Sequence, residues 1–141
     1  MIIFLSDGVS SAPLAWYSKK LKRVARSALA AEAMAVAEGA DHGRNFKLFL
    51  DELLPGKSPS KVETFTDSKS LYDTSDKTKA PLDRSIRVDI ASIRERIEMN
   101  EISLTWVNTK SQVADVFTKQ GVNSKMIQEI LKGGITPNSQ I

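Results

Sequence analysis

The sequence predicts an α/β fold, and three observations carry that prediction. Short runs rich in β-branched and aromatic residues recur at Ile2–Leu5, Leu14–Tyr17, Val62–Thr66 and Ile102–Val107. Between them lie two longer segments whose apolar residues return at helical spacing. The third run passes directly from strand character into helix character at Asp67, within KVETFTDSKSLYD (Lys61 to Asp73). In an open α/β sheet, that carboxyl end of a strand is where ligands are handled. Asp is also a preferred helix N-cap, so Asp67 alone supports either reading.

Composition bounds the classes that remain. At 141 residues, the chain is long enough for one core and too short for two. With 41% hydrophobic and 26% charged residues it has ordinary globular composition, which argues against wholesale disorder. The absence of cysteine excludes disulfides and thiolate metal sites and suits a reducing, intracellular setting, cytoplasmic or nuclear. The opening MIIFL is too short for a signal peptide or a membrane span, so no membrane association is expected. The formal charge is only +3, but Lys19, Lys20, Lys22, Arg23 and Arg26 form a run without an acid. Such a run is either a solvated face or a phosphate-binding surface.

Taken in order, Ile2 to Ser18 reads as a hairpin with a long connection opened by the turn residues Ser6, Asp7 and Gly8. Ser27 to about Asp41 is Ala-rich and helix-favouring. On a helical wheel Leu29, Ala33, Val36 and Ala40 fall in a sector of roughly 60°, with Glu32 at its rim. After Gly43 the apolar phase shifts to Phe46, Leu50 and Leu53, which predicts a kink or restart and an end near Leu54. Thr74 to Pro81 is polar and reads as a loop. From Asp83, Ile86, Ile90, Ile93 and Ile97 form a second helical stripe ending near Asn100, and a strand over Ile102–Val107 follows. Thr109 and Gln112 have capping-box spacing, so a helix is expected to open near Lys110, with Asp115 in its second turn and pointing away from Val113 and Val116. Ser124 to Lys132 predicts a last short helix. The expected organisation is one domain over 1–132 and a flexible tail over 133–141.

Glu32, Asp67 and Asp115 thus share a setting: a helix rim, a strand end and the start of a C-terminal helix. Clustered carboxylates repel unless a cation neutralises them, and hard oxygen donors suit Mg²⁺ or Mn²⁺. Two such ions can activate a water and stabilise the leaving oxygen of a phosphodiester. Spacing alone does not single these three acids out of seventeen.

Four fragments in order give the chain a resemblance. Trp16-Tyr17-Ser18-Lys19-Lys20 looks like a strand-plus-lysine signature, and SALAAEAMA (Ser27 to Ala35) is similar to SSTEAEYMA. FTDSKSLYD (Phe65 to Asp73) looks like a central strand motif, and QVADVFTK (Gln112 to Lys119) is close to QLADIFTK. Together they resemble the RNase H domain of copia-type retrotransposon Pol polyproteins, over about Ile2 to Leu131. The resemblance implies an RNase H-like mixed five-stranded sheet flanked by helices, and two-metal hydrolysis of the RNA strand of RNA–DNA hybrids. An upstream reverse transcriptase domain is an implied partner. Glu32 and Asp67 match the family's second and third carboxylates and Asp115 its fourth, as catalytic and metal-binding residues. Lys19, Lys20, Lys22, Arg23 and Ser27 become candidate nucleic-acid contacts, reading shape, 2′-hydroxyls and phosphates rather than bases. The pattern departs at Ala30 and Ala33, where Glu and Tyr are common. The first carboxylate would stand on an earlier strand, for which Asp7 is the local candidate, though turn chemistry fits Asp7 better. The chain is therefore expected to lack its first strand and to be weakly active or inactive alone. The alternative is a non-catalytic remnant or co-opted module that binds nucleic acid or protein.

Overall fold

The computed structural model describes residues 1–7, 9–59, 61–76, 81, 83–109, 113–117 and 124–132. The fold is mixed α/β. It divides into two compact units, one of Met1–Lys20 with Val107–Ile141 and one of Leu21–Trp106.

In the first unit, β1 (Ile2–Ser6) and β2 (Ser11–Trp16) form an antiparallel hairpin. Its connection is shorter than the sequence predicts, because β2 begins at Ser11 rather than Leu14. Pro13 sits within β2 opposite Phe4, at the point where the register shifts. A proline lacks the N–H that a ladder needs, so it is tolerated where the pairing is already irregular. Asp7 closes the turn: its Oδ1 accepts the amides of Val9 at 2.9 Å and Ser10 at 2.7 Å. A short 3₁₀ segment, Val113–Phe117, and α4 (Ser124–Leu131) complete the described part of this unit. Of the predicted cap pair, Gln112 lies outside the described residues, as do Lys110 and the predicted tail.

The second unit holds α1 (Ala28–Leu53), β3 (Val62–Thr66), α2 (Lys69–Asp76), α3 (Arg87–Glu98) and β4 (Ile102–Trp106). β3 and β4 pair in parallel, Val62 opposite Ile102 through Thr66 opposite Trp106. The core joins Ala30, Ala33, Met34, Val36 and Ala40 of α1 to Leu71, Ile86, Ile90, Ile93 and Ile102. The isoleucine stripe is thus a core face as predicted, with Ile86 in the turn before α3 and Ile90 and Ile93 in the helix, except that Ile97 at its end is 37% exposed. Asp83 caps the 3₁₀ turn Arg84–Ile86 that leads into α3, accepting the Ser85 amide at 2.8 Å, and Asn100, at φ 57°, reverses the chain into β4. Asn tolerates that left-handed conformation better than most residues.

Two helical predictions need correction. The helix does not break at Gly43; α1 is continuous to Leu53. Gly43 is buried, and a Cβ there would lie 2.8 Å from Val62 Cγ1, so the glycine serves close helix–strand approach and does not interrupt the helix. Likewise α2 continues to Asp76, past the predicted start of a loop. Its last carbonyls are held from outside: Arg94 donates to Thr74 O at 2.6 Å and to Ser75 O at 3.2 Å.

Candidate functional site at the carboxyl edge of the parallel strands

Within the Leu21–Trp106 unit, ion pairs fix how the elements run. Arg23, just before α1, bonds Asp89 early in α3 at 2.7 Å. Asp41 of α1 pairs with Arg96 late in α3, and Arg44 with Glu101 just beyond it at 3.2 Å. The two helices therefore run in the same direction. The turn at Asn100 sends β4 back against them, and β3, parallel to β4, also runs opposite to α1.

That arrangement sets the level of two carboxylates. Gly43 marks where α1 meets Val62, the start of β3. Eleven residues back along α1 stands Glu32, roughly 16 Å away at the helical rise. Five residues on from Val62 stands Asp67, roughly 16 Å away at the strand rise. Both distances run the same way, so Glu32 and Asp67 lie at one level, toward the carboxyl ends of β3 and β4. Both are half-buried.

Asp67 is not the cap of α2. Ser68 takes that role: its Oγ accepts the Leu71 amide at 3.3 Å and its carbonyl the Tyr72 amide at 3.1 Å. The preceding Thr66 Oγ1 accepts the Ser68 amide at 3.2 Å. The carboxylate of Asp67 is thus released from the task that the sequence alone offered it. Its main-chain carbonyl is held instead by Trp106, whose indole N–H donates to it at 3.1 Å. The ammonium of Lys69 lies over the Trp106 ring, 5.9 Å from its centre.

Asp115 lies half-buried in the 3₁₀ segment of the other unit. Asp7 holds its own turn through its carboxylate oxygens, the role that turn chemistry favours for it. Hydrogen bonds from the Ser10 and Val9 amides keep its carboxyl below the usual carboxylate range. The basic run crosses the boundary between the units. Lys19 and Lys20 are exposed in the first, with Lys19 6.0 Å from the Tyr17 ring centre. Lys22 and Arg23 are exposed in the second, on a segment tacked to the core by Leu21 and Ala25, and Arg23 is engaged by Asp89. Ser27 caps α1, accepting the Ala30 amide at 3.1 Å. That role accounts for a serine ahead of an Ala-rich helix without any ligand.

Among the described residues, no three His, Asp or Glu side chains gather into a group that could hold a metal ion. The donor chemistry of Glu32 and Asp67 nevertheless fits a hard divalent cation, because Mg²⁺ commonly takes one or two carboxylates and completes its shell with water and substrate phosphate. Sequence reasoning missed Trp106 as part of this edge. The available signal was an aromatic residue closing one strand-like run just as Asp67 closes another. No helix among the described residues is long and apolar enough to cross a membrane. No family model, no curated protein and no solved structure matches the chain.

Proposed function

We propose that the chain is an RNase H-like domain of the copia type that engages RNA–DNA hybrids, with Glu32, Asp67 and Asp115 as the carboxylates that hold Mg²⁺ or Mn²⁺. The observation that carries this reading is Asp67 at the carboxyl end of a parallel strand, relieved of capping by Ser68 and level with Glu32. The order of the four motifs supports it. In this reading the parallel pair β3–β4 belongs to a five-stranded RNase H-like sheet, and an upstream reverse transcriptase domain is the natural partner.

The residues divide the work by their chemistry. Glu32 and Asp67 supply hard, anionic oxygen ligands from two elements at one level, and the motif resemblance alone adds Asp115. Bound there, divalent ions would lower the pKa of a coordinated water and neutralise charge on the scissile phosphate. The exposed lysines Lys19, Lys20 and Lys22 attract the hybrid's phosphates, which gives affinity without base reading.

The test compares the chain with its Asp67→Asn variant. Mn²⁺ raises the melting temperature of the wild type and not of Asp67→Asn, and the chain binds an RNA–DNA hybrid in preference to duplex DNA. An equal Mn²⁺ shift in both proteins refutes the metal assignment. Hybrid binding that ignores Mn²⁺ supports instead the second reading, a non-catalytic nucleic-acid-binding module. The engagement of Asp7 in its own turn favours that reading, since main-chain amides already occupy its oxygens.

A further inference from the structure

We propose that Trp106 is a positioning residue for Asp67, an inference that rests on the metal-ligand reading of that carboxylate. β3 ends its ladder at Thr66, opposite Trp106, and α2 takes its first accepting carbonyl from Ser68. The Asp67 carbonyl falls between them, beyond the last ladder pair and before the first helical turn. A peptide in that position is free to rotate unless something else takes its oxygen.

The indole of Trp106 does so. Its N–H donates to Asp67 O across the strand pair at 3.1 Å. Pinning this carbonyl fixes ψ at Asp67, and with it the direction in which the Cα–Cβ bond presents the carboxylate. Burial does not explain a tryptophan here, because the residue is 40% exposed at the end of its strand. The ammonium of Lys69, the first residue of α2, lies over the ring. Trp106 thus ties both arms of the junction, the carbonyl of Asp67 and the start of the following helix. It touches neither ion nor substrate in this role. It acts through Asp67, as partners of ligating side chains do around metal sites.

The deciding experiment separates the N–H from the ring. Replacing Trp106 with 3-benzothienylalanine keeps the bicyclic shape and the Lys69 contact and removes only the donor. Trp106→Phe is the simpler companion. Mn²⁺ binding is read from the free-ion electron paramagnetic resonance signal, with circular dichroism as the check on the fold. The benzothienylalanine protein, folded as wild type, should bind Mn²⁺ about tenfold more weakly, at the low end of losses for such supporting partners. Wild-type affinity in it, with binding abolished in Asp67→Asn, overturns the positioning role and leaves the metal reading standing. Unchanged binding in both variants overturns the metal reading and the positioning role with it.

Discussion

The contact between Gly43 and Val62 yields a sharp prediction, because the two effects of one substitution oppose each other. In an ordinary helix interior, Gly→Ala stabilises by about 1 kcal/mol. Here the new Cβ would stand 2.8 Å from Val62 Cγ1, with Val62 Cγ2 at 3.7 Å and Cβ at 3.8 Å. Carbon atoms settle at about 3.5–4.0 Å, so close to 1 Å must be found. Val62 has few ways to yield, since a β-branched side chain is stiff at χ1. Overpacking of this kind costs about 1–3 kcal/mol. Gly43→Ala should therefore destabilise by about 1 kcal/mol after the propensity gain is subtracted. In a Val62→Ala background the nearest methyl is gone, and the same change should stabilise by about 1 kcal/mol. Urea unfolding of the four proteins of this cycle gives the coupling, expected near 2 kcal/mol. A coupling below about 0.5 kcal/mol, the scatter of independent sites, would falsify the close-approach account of Gly43. The level of Glu32 relative to Asp67 would then lose its reference point.

Two further tests address the N-cap with the basic run, and the turn acid. Ser27→Ala should cost about 1 kcal/mol in stability as a lost N-cap while leaving the salt dependence of hybrid binding unchanged. Lys19→Ala and Lys20→Ala should each lower the salt slope by about 1. A slope altered by Ser27→Ala and untouched by the lysine variants refutes this division of roles. Asp7 is held ionised by the Ser10 and Val9 amides, so its folded pKa lies below its unfolded value. Its contribution is present above the unfolded value of about 3.9 and is lost as pH falls through the folded one. Asp7→Asn should therefore lie closest to wild type in urea midpoint at the acid extreme and furthest from it at neutral pH. A gap that widens below pH 4 contradicts that sign.

Much of this was legible in the residues, and the misreadings share a cause. The isoleucines from Ile86 to Ile93 and the Asp83 cap declare the 3₁₀ turn Arg84–Ile86 and the α3 that follows it because the signals are local: one face, one acceptor, one spacing. The same holds for β3, whose β-branched run needs no distant partner to identify it. Gly43 misled because a glycine in a helix signals a break unless the neighbouring strand is known, and Val62 is far from it in sequence. The extension of α2 depended on Arg94, which reaches Thr74 and Ser75 from another helix. Asp67 and Ser68 are adjacent cap candidates, and only the strand's actual end at Thr66 decides between them. Trp106 read as one more strand residue, since nothing local reveals that its indole meets the Asp67 carbonyl.

The Arg23–Asp89 pair bears on how the basic segment behaves as the protein opens and closes. Asp89 is 6% exposed, and its Oδ2 has no hydrogen-bond partner among the described residues. Peeling the segment around Arg23 away from the helices would strand that carboxylate without its cation, an unfavourable state for a buried charge. The basic segment at Arg23 should then open cooperatively with the helical core rather than fray ahead of it, and its amides should exchange with solvent on the core's timescale. A charged, largely exposed stretch would in this way be among the last parts of its unit to let go.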